Sequence, residues 1–240
     1  MLLKDIYNKL DNISSFSFAS SWDNSGINIG YMDQYISEIV ISLDIDYHLL
    51  DNLNPNTLLI THHPLIFQPI KSIGNDPISN FIRDMIKKDI AHIAMHTNFD
   101  KTHLNSFVAI NILGFDKIYT EDFICYIDVE SMVFDDVLEL VKDRFHIYRP
   151  NYVKTTNKIK RLALTTGSGG SLIKNIEADI FLTGDIKYHD AMYAKAKGLG
   201  LIDITHFNSE IFFAQALFQE IRELDIKISI INSNNPFNKE

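Results

Sequence analysis

Thr57-Leu58-Leu59-Ile60-Thr61-His62-His63-Pro64 runs from an unbroken apolar segment straight into two adjacent histidines. A short apolar run without polar alternation is the pattern of a strand covered on both faces, as in an α/β sheet. Residues just past such a strand lie at its carboxyl end, where open α/β sheets collect their ligands. Side chains of neighbouring strand residues point to opposite faces. A turn imposed by Pro64 can instead fan both imidazoles around one cavity, one for each of two cations. Taken alone the pair reads equally well as a surface loop containing histidines.

The same punctuation recurs outward in both directions. The apolar run 39–43 ends at Asp44, and 90–95 ends at His96-Thr97-Asn98-Phe99-Asp100. Further on, 180–182 precedes Gly184-Asp185-Ile186-Lys187-Tyr188-His189, and 201–204 precedes His206-Phe207-Asn208-Ser209-Glu210. Residues 161–165 and 226–231 read as two more strands. Between them lie helical patterns at 2–13, 78–88, 104–113 (stopped by Gly114), 133–145 and 209–224. Residues 148–158, with Pro150, read as an extended connection, and the polar tail 233–240 as frayed. Repeated β-α alternation predicts an α/β fold.

Composition gives that fold a scaffold and narrows the chemistry. The chain has 240 residues, 46% of them hydrophobic, enough to bury a sizeable core as one large domain or two small lobes. A formal net charge of -9 argues against a general electrostatic footprint for nucleic acid or an anionic membrane. No apolar stretch reaches bilayer length, and Met1-Leu2-Leu3-Lys4-Asp5 turns acidic before a signal-peptide core can form, so a cytoplasmic protein is expected. Cys125 is the single cysteine, which excludes an internal disulfide and a thiolate zinc site. A metal here must take nitrogen and oxygen ligands.

Each cluster carries a bland reading beside the chemical one. His96 and Asp100 are four apart after a strand. Asp100 offers a hard oxygen donor, or simply caps the next helix. His206 and Glu210 share a helix face at that spacing if the helix has begun, and Glu210 either bridges cations or merely favours a helix start. His189 can carry protons beside a metal or be structural. Gly167-Ser168-Gly169-Gly170-Ser171 lacks the lysine of a phosphate-cradling loop, so tight-turn chemistry is its better reading.

Taken together and in order, these motifs resemble a known family. Trp22-Asp23-Asn24-Ser25-Gly26, Leu59-Ile60-Thr61-His62-His63-Pro64-Leu65, His96 to Asp100, Thr183-Gly184-Asp185 with Tyr188-His189-Asp190, and His206 to Glu210 are similar to the Nif-three-like dinuclear-metal proteins, many of them named GTP cyclohydrolase 1 type 2 homologues. The resemblance implies two α/β lobes with a dinuclear metal site in the cleft between them. It implies one Nif-three-like domain over 1–240 without an inserted domain, the second lobe covering roughly 121–205. It implies His62, His63, Asp100, His206 and Glu210 as ligands of two divalent ions, Glu210 bridging, and a toroidal homohexamer built as a trimer of dimers. Mixed imidazole and carboxylate ligation suits zinc, iron, manganese or nickel. The expected activity is that of GTP cyclohydrolase I, converting GTP and water to 7,8-dihydroneopterin triphosphate and formate, with His189 or His96 moving protons and Lys101, Lys187 or the Gly167 loop holding the triphosphate. The alternatives are metal-dependent phosphoester hydrolysis and a non-catalytic metal-binding ring acting as scaffold or regulator. This chain departs from the family at Lys101-Thr102-His103-Leu104-Asn105, at Asp185 in place of glutamate, at Thr205 in place of glycine and at Phe207 in place of tyrosine, which bears on the surroundings of the site.

Overall fold

The computed structural model describes residues 1–237. It divides into two compact units, one made of Met1–Phe99 with the segment from Phe213 onward, the other of Asp100–Phe212. The second unit therefore begins at Asp100, whereas the sequence placed the second lobe at roughly 121–205.

The first unit is built on a five-stranded sheet. Its strands are β1 (Gly26–Ile29), β2 (Glu38–Ser42), β3 (Thr57–Thr61), β4 (Ala91–Ala94) and the closing β11 (Lys227–Ile230), in the order β1-β4-β3-β2-β11. All neighbours are parallel except β1, which runs antiparallel to β4. Every residue of β2, β3 and β4 is buried, which is why these strands read as continuous apolar runs. Helix α1 (Leu3–Ile13) buries Leu3, Ile6 and Leu10, a spacing of three and four that lines one helix face. Helices α2 (Tyr47–Asp51) and α3 (Pro77–Lys87) start at the aspartate caps Asp46 and Asp76, and Pro77 occupies the first turn of α3, where its missing N–H costs nothing. Leu50, Leu59, Ile82 and Met85 belong to one core cluster under these helices. Burying each such side chain contributes about 1.5–3 kcal/mol relative to leaving it in water.

The C-terminal segment is tied into this sheet. Lys227 pairs with Glu38 of β2, and the Ser233 hydroxyl lies 3.0 Å from that of Ser42 while accepting the Asp44 N–H at 2.9 Å. The expected fraying therefore does not begin at Ser233; residues 238–240 of that tail lie outside the described residues.

From Thr97 the chain is helical almost without pause to Ile112, passing through α4 (Thr97–Phe99), a π-helical turn Asp100–Leu104, α5 (Asn105–Phe107) and a second π-helical turn Val108–Ile112. The helix expected from Leu104 thus begins seven residues earlier, and Asp100 sits inside a wide turn rather than in a loop. Single π turns concentrate where a helix must re-aim a side chain.

The second unit carries a six-stranded sheet in the order β5-β6-β8-β9-β10-β7. The strands are β5 (Ile118–Glu121), β6 (Ile124–Val133), β7 (Tyr152–Val153), β8 (Lys158–Ser168), β9 (Ile180–Gly184) and β10 (Gly200–Asp203). Only β8-β9-β10 are mutually parallel; β5, β6 and β7 pair antiparallel with their neighbours. Helix α6 (Phe134–Phe145) buries Phe134, Val137, Leu138, Val141 and Phe145, and α7 (Tyr188–Lys197) ends at the left-handed Gly198. The predicted single closing helix is two helices, α8 (His206–Glu210) and α9 (Phe213–Ile221). Among the described residues, no helix is long and apolar enough to cross a membrane.

Candidate metal centre

In the first unit the ends of β3 and β4 bring three imidazoles together. One ligand-capable atom from each of His62, His63 and His96 lies within 4.8 Å of the others. The His62 ring centroid is 5.0 Å from both His63 and His96, and His63 is 5.4 Å from His96. The sequence assigned His62 and His63 as ligands and His96 as a proton carrier; the structure places all three in one group.

The surroundings fix which ring nitrogen carries the proton. His62 Nδ1 lies 2.9 Å from the Met95 carbonyl, which can only accept, so Nδ1 carries the proton and Nε2 the lone pair. His63 Nδ1 meets Asp44 Oδ1 at 2.7 Å and His96 Nδ1 meets Asp23 Oδ1 at 2.8 Å, giving the same tautomer. An imidazole whose Nδ1–H is held by a carboxylate or carbonyl is oriented for metal binding through Nε2 and is made more basic. Asp44 and Asp23 went unassigned in the sequence, although Asp44 ends an apolar run and Asp23 lies inside a quoted motif, because nothing local tells an anchoring carboxylate from a capping one.

Asp23 is the most constrained of these anchors. Its side chain is fully buried. Burial alone raises a carboxyl pKa, but hydrogen bonds from His96, Ser25 and Thr97 outweigh it and hold Asp23 far below the usual carboxylate range. A second imidazole nearby, His92, is different in kind. It is completely buried with Nε2 2.7 Å from the Thr61 hydroxyl, and burial lowers its pKa to about 3, so it stays neutral as part of the sheet.

In the second unit the late His-x-x-x-Glu lies on α8. Four-residue spacing puts the pair on one helix face, with His206 Nε2 3.0 Å from Glu210 Oε2. His206 Nδ1 meets Asp185 Oδ2 at 2.7 Å, so the carboxylate–imidazole pattern appears a third time. Asp185, one methylene shorter than the family's glutamate, still reaches the ring. Glu210 is buried, and two glycines around it, Gly167 and Gly184, explain its seat. Gly167, at φ +65°, runs so close that a Cβ there would overlap the Glu210 carboxylate. Gly184 is equally tight, since a Cβ would lie 2.6 Å from His206 N and 2.7 Å from the Gly167 carbonyl. Ser209 ties the two pieces by accepting the Gly167 N–H at 2.9 Å and donating to the His206 carbonyl at 2.8 Å. Thr205 caps α8 from the backbone conformation φ 55°, ψ 152°, which is a glycine-like region, and Asp185 also has positive φ. Strain of this kind clusters where the surrounding structure over-determines a functional residue.

Asp100 opens the π-helical turn, its carbonyl accepting from Asn105 at 3.1 Å. His189 is exposed in the first turn of α7 with its ring against Tyr188, and is not among the histidines whose ligand atoms converge among the described residues. Lys101 pairs with Asp122 at 3.0 Å and covers the Phe123 ring. In the glycine loop the Gly167 and Gly169 N–H groups already donate to Ser209 and Thr183, which is the tight-turn reading rather than a phosphate cradle. Cys125 is buried, which pushes its thiol up to about 12 and leaves it inert.

His206 supplies a pH-dependent prediction. Hydrogen bonding to Glu210, supported by Asp185, raises its pKa from 6.5 to about 9 against the opposing effect of burial. A raised folded-state pKa stabilises the fold fully below the unfolded value and loses that stabilisation as pH climbs through the folded one. Thermal unfolding of chelator-stripped protein is therefore expected to show a fall in Tm between pH 6.5 and about 9 that Asp185→Asn diminishes. A flat profile over that window contradicts the ion pair.

Comparisons with known proteins bear on the family and the fold. Residues 1–236 match the family model described as Duf34/NIF3 (NGG1p interacting factor 3). The chain is 42% identical over 239 residues to a Campylobacter jejuni protein named GTP cyclohydrolase 1 type 2 homolog, covering 99% of each chain. It is 39% identical to a Helicobacter pylori protein named GTP cyclohydrolase 1 type 2, covering 98% of each. Among solved structures, Staphylococcus aureus protein SA1388 superposes with a TM-score of 0.90 at 26% identity, covering 100% of this chain and 99% of that one. Reduced HcgD from Methanocaldococcus jannaschii gives 0.82 at 25% identity, covering 96% and 97%. With the motifs, the two sheets and the matched length all in accord, the chain belongs to the Duf34/NIF3 family.

Proposed function

We propose that this chain is a dinuclear-metal hydrolase with the activity of GTP cyclohydrolase I, in which His62, His63, Asp100, His206 and Glu210 would hold two divalent cations. The observation that carries the reading is the repeated arrangement of an imidazole whose Nδ1 is anchored, three times by a carboxylate and once by a carbonyl, the orientation in which Nε2 serves as a metal ligand. The chain's donors fit such ions: nitrogen and carboxylate oxygen without thiolate, and a glycine cradle that lets a buried carboxylate close in. The names of the Campylobacter and Helicobacter relatives support the choice of GTP.

Two divalent cations held there would supply Lewis acidity for activating water. The protein's own groups do the rest. The anchoring carboxylates Asp23, Asp44 and Asp185 keep each imidazole in the metal-binding tautomer. His96, backed by the buried Asp23, takes up and returns a proton as water adds at C8 of the guanine ring and the imidazole ring opens to a formamide, which a second water hydrolyses to formate. Rearrangement of the ribose and ring closure, which expels one water, then gives 7,8-dihydroneopterin triphosphate. The homohexamer implied by the family belongs to the same proposal.

Incubating metal-loaded protein with GTP and assaying formate together with the fluorescence of oxidised neopterin tests this directly. Both products in equal amounts are expected. Release of inorganic phosphate with neither product would instead assign phosphoester hydrolysis.

A further inference from the structure

The chain's single tryptophan stands open to solvent beside the histidine group. Trp22 is 57% exposed and Phe67 43% exposed, an unusual placement for two large aromatic rings. Their centroids lie 6.0 Å apart with planes tilted by 55°. Trp22 is 6.0 Å from the His96 ring and Phe67 6.5 Å from it, both nearly perpendicular to that imidazole. The two rings thus border the imidazole that the proposed reaction uses.

Both rings hang from backbone that side chains hold still. Next to Trp22, the buried Asp23 carboxylate accepts from His96 Nδ1, from the Thr97 hydroxyl and N–H, and from the Ser25 hydroxyl. On the other side of Trp22, Ser20 N–H donates to the Thr97 hydroxyl at 3.0 Å. Before Phe67, Ile66 donates its N–H to Asn28 Oδ1 at 3.0 Å and accepts at its carbonyl from Asn24 Nδ2. The segment that presents Trp22 therefore also fixes Phe67. Such a surface costs little ordering entropy when a flat ligand settles on it.

We propose that Trp22 and Phe67 form a stacking platform for a planar heteroaromatic ring, the purine base of the substrate, whose edge then faces His96. This deepens the GTP reading and rests on it. Stacking of a base on an aromatic side chain is tolerant of substituents because it uses the π face, and the quadrupoles of indole and purine favour offset contact. The platform recognises the ring, while the ribose and triphosphate contribute through other groups.

Because no second indole obscures it, Trp22 emission reports on its own face. Full-length, metal-loaded protein titrated with guanosine, GTP and inorganic tripolyphosphate is expected to show saturable quenching by the first two and none by the third. Trp22→Ala is expected to raise KM for GTP on the order of tenfold with a smaller change in kcat and unchanged metal content, Phe67→Ala less, and Trp22→Phe to restore KM. Equal quenching by tripolyphosphate, or emission that follows protein concentration and ignores guanosine because a second copy covers the ring, overturns the platform. The two proposals fail separately. Guanosine quenching without neopterin formation sinks the cyclohydrolase reading and leaves the platform, whereas neopterin formation by Trp22→Ala at unaltered KM does the reverse.

Discussion

Glu210→Gln is expected to strip both metal ions from the protein while leaving it folded. Glutamine keeps the volume and one carbonyl oxygen but removes the charge and the second equivalent oxygen that a bridging ligand needs. Altering residues that merely orient a ligand costs about 10- to 100-fold in metal affinity, so loss of a bridging ligand should exceed about a hundredfold. Elemental analysis after reconstitution and gel filtration should fall from two ions per chain toward none. Retention of one ion would show that Glu210 serves a single site. The fold should survive because Glu210 lies on a short helix whose cap, Thr205, and whose tie to β8, Ser209, are untouched. Asp185→Asn provides the graded comparison, since it leaves every proposed ligand in place and weakens only the anchor of His206.

Gly167→Ala is expected to have the second largest effect, and for two separable reasons. At φ +65° an alanine pays the left-handed penalty of roughly 1–2 kcal/mol. Its Cβ would also overlap the Glu210 carboxylate, so either the glutamate or the end of β8 must move. Gly114→Ala isolates the first contribution, because Gly114 has φ +80° and nothing within 4 Å of the added methyl. Denaturant unfolding should show a loss for Gly114→Ala near the conformational value alone and a larger loss for Gly167→Ala. Only Gly167→Ala should also lose metal, and equal metal content in the two variants would contradict the cradle.

The strands that carry the site were legible because they are buried on both faces. β2, β3 and β4 show as uninterrupted apolar runs, and the polar residues that stop them stand out. The same logic fails for β5 and β6. Ile118–Glu121 is largely exposed, β6 changes from buried to alternating at Asp128, and their hairpin turns at Asp122, φ 51°, without a glycine to mark it. β7 is two residues long, too short for any pattern, and lay hidden in the expected connection. The closing helix looked continuous because residues 211 and 212 are apolar like their neighbours, so periodicity does not register the break. Within the site, the proposed donors His62, His63, Asp100, His206 and Glu210 could be named from the resemblance. Their anchors could not, since Asp44 is 19 residues from His63, Asp23 is 73 from His96 and Asp185 is 21 from His206. Pairing at that separation is a product of the fold, and the sequence records it only as isolated aspartates, Asp44 and Asp185 after strands and Asp23 before one. The exposure of Trp22 was equally unreadable, because composition predicts burial for such a ring.

The central claim is that five side chains drawn from distant stretches close on a pair of cations. Anomalous diffraction from crystals of the full chain grown with a divalent transition metal tests it most directly. The account predicts two peaks about 3.5–4 Å apart, both within bonding distance of Glu210 and shared out among His62, His63, Asp100 and His206. A single peak held by His62, His63 and His96, with none at Glu210, would contradict it.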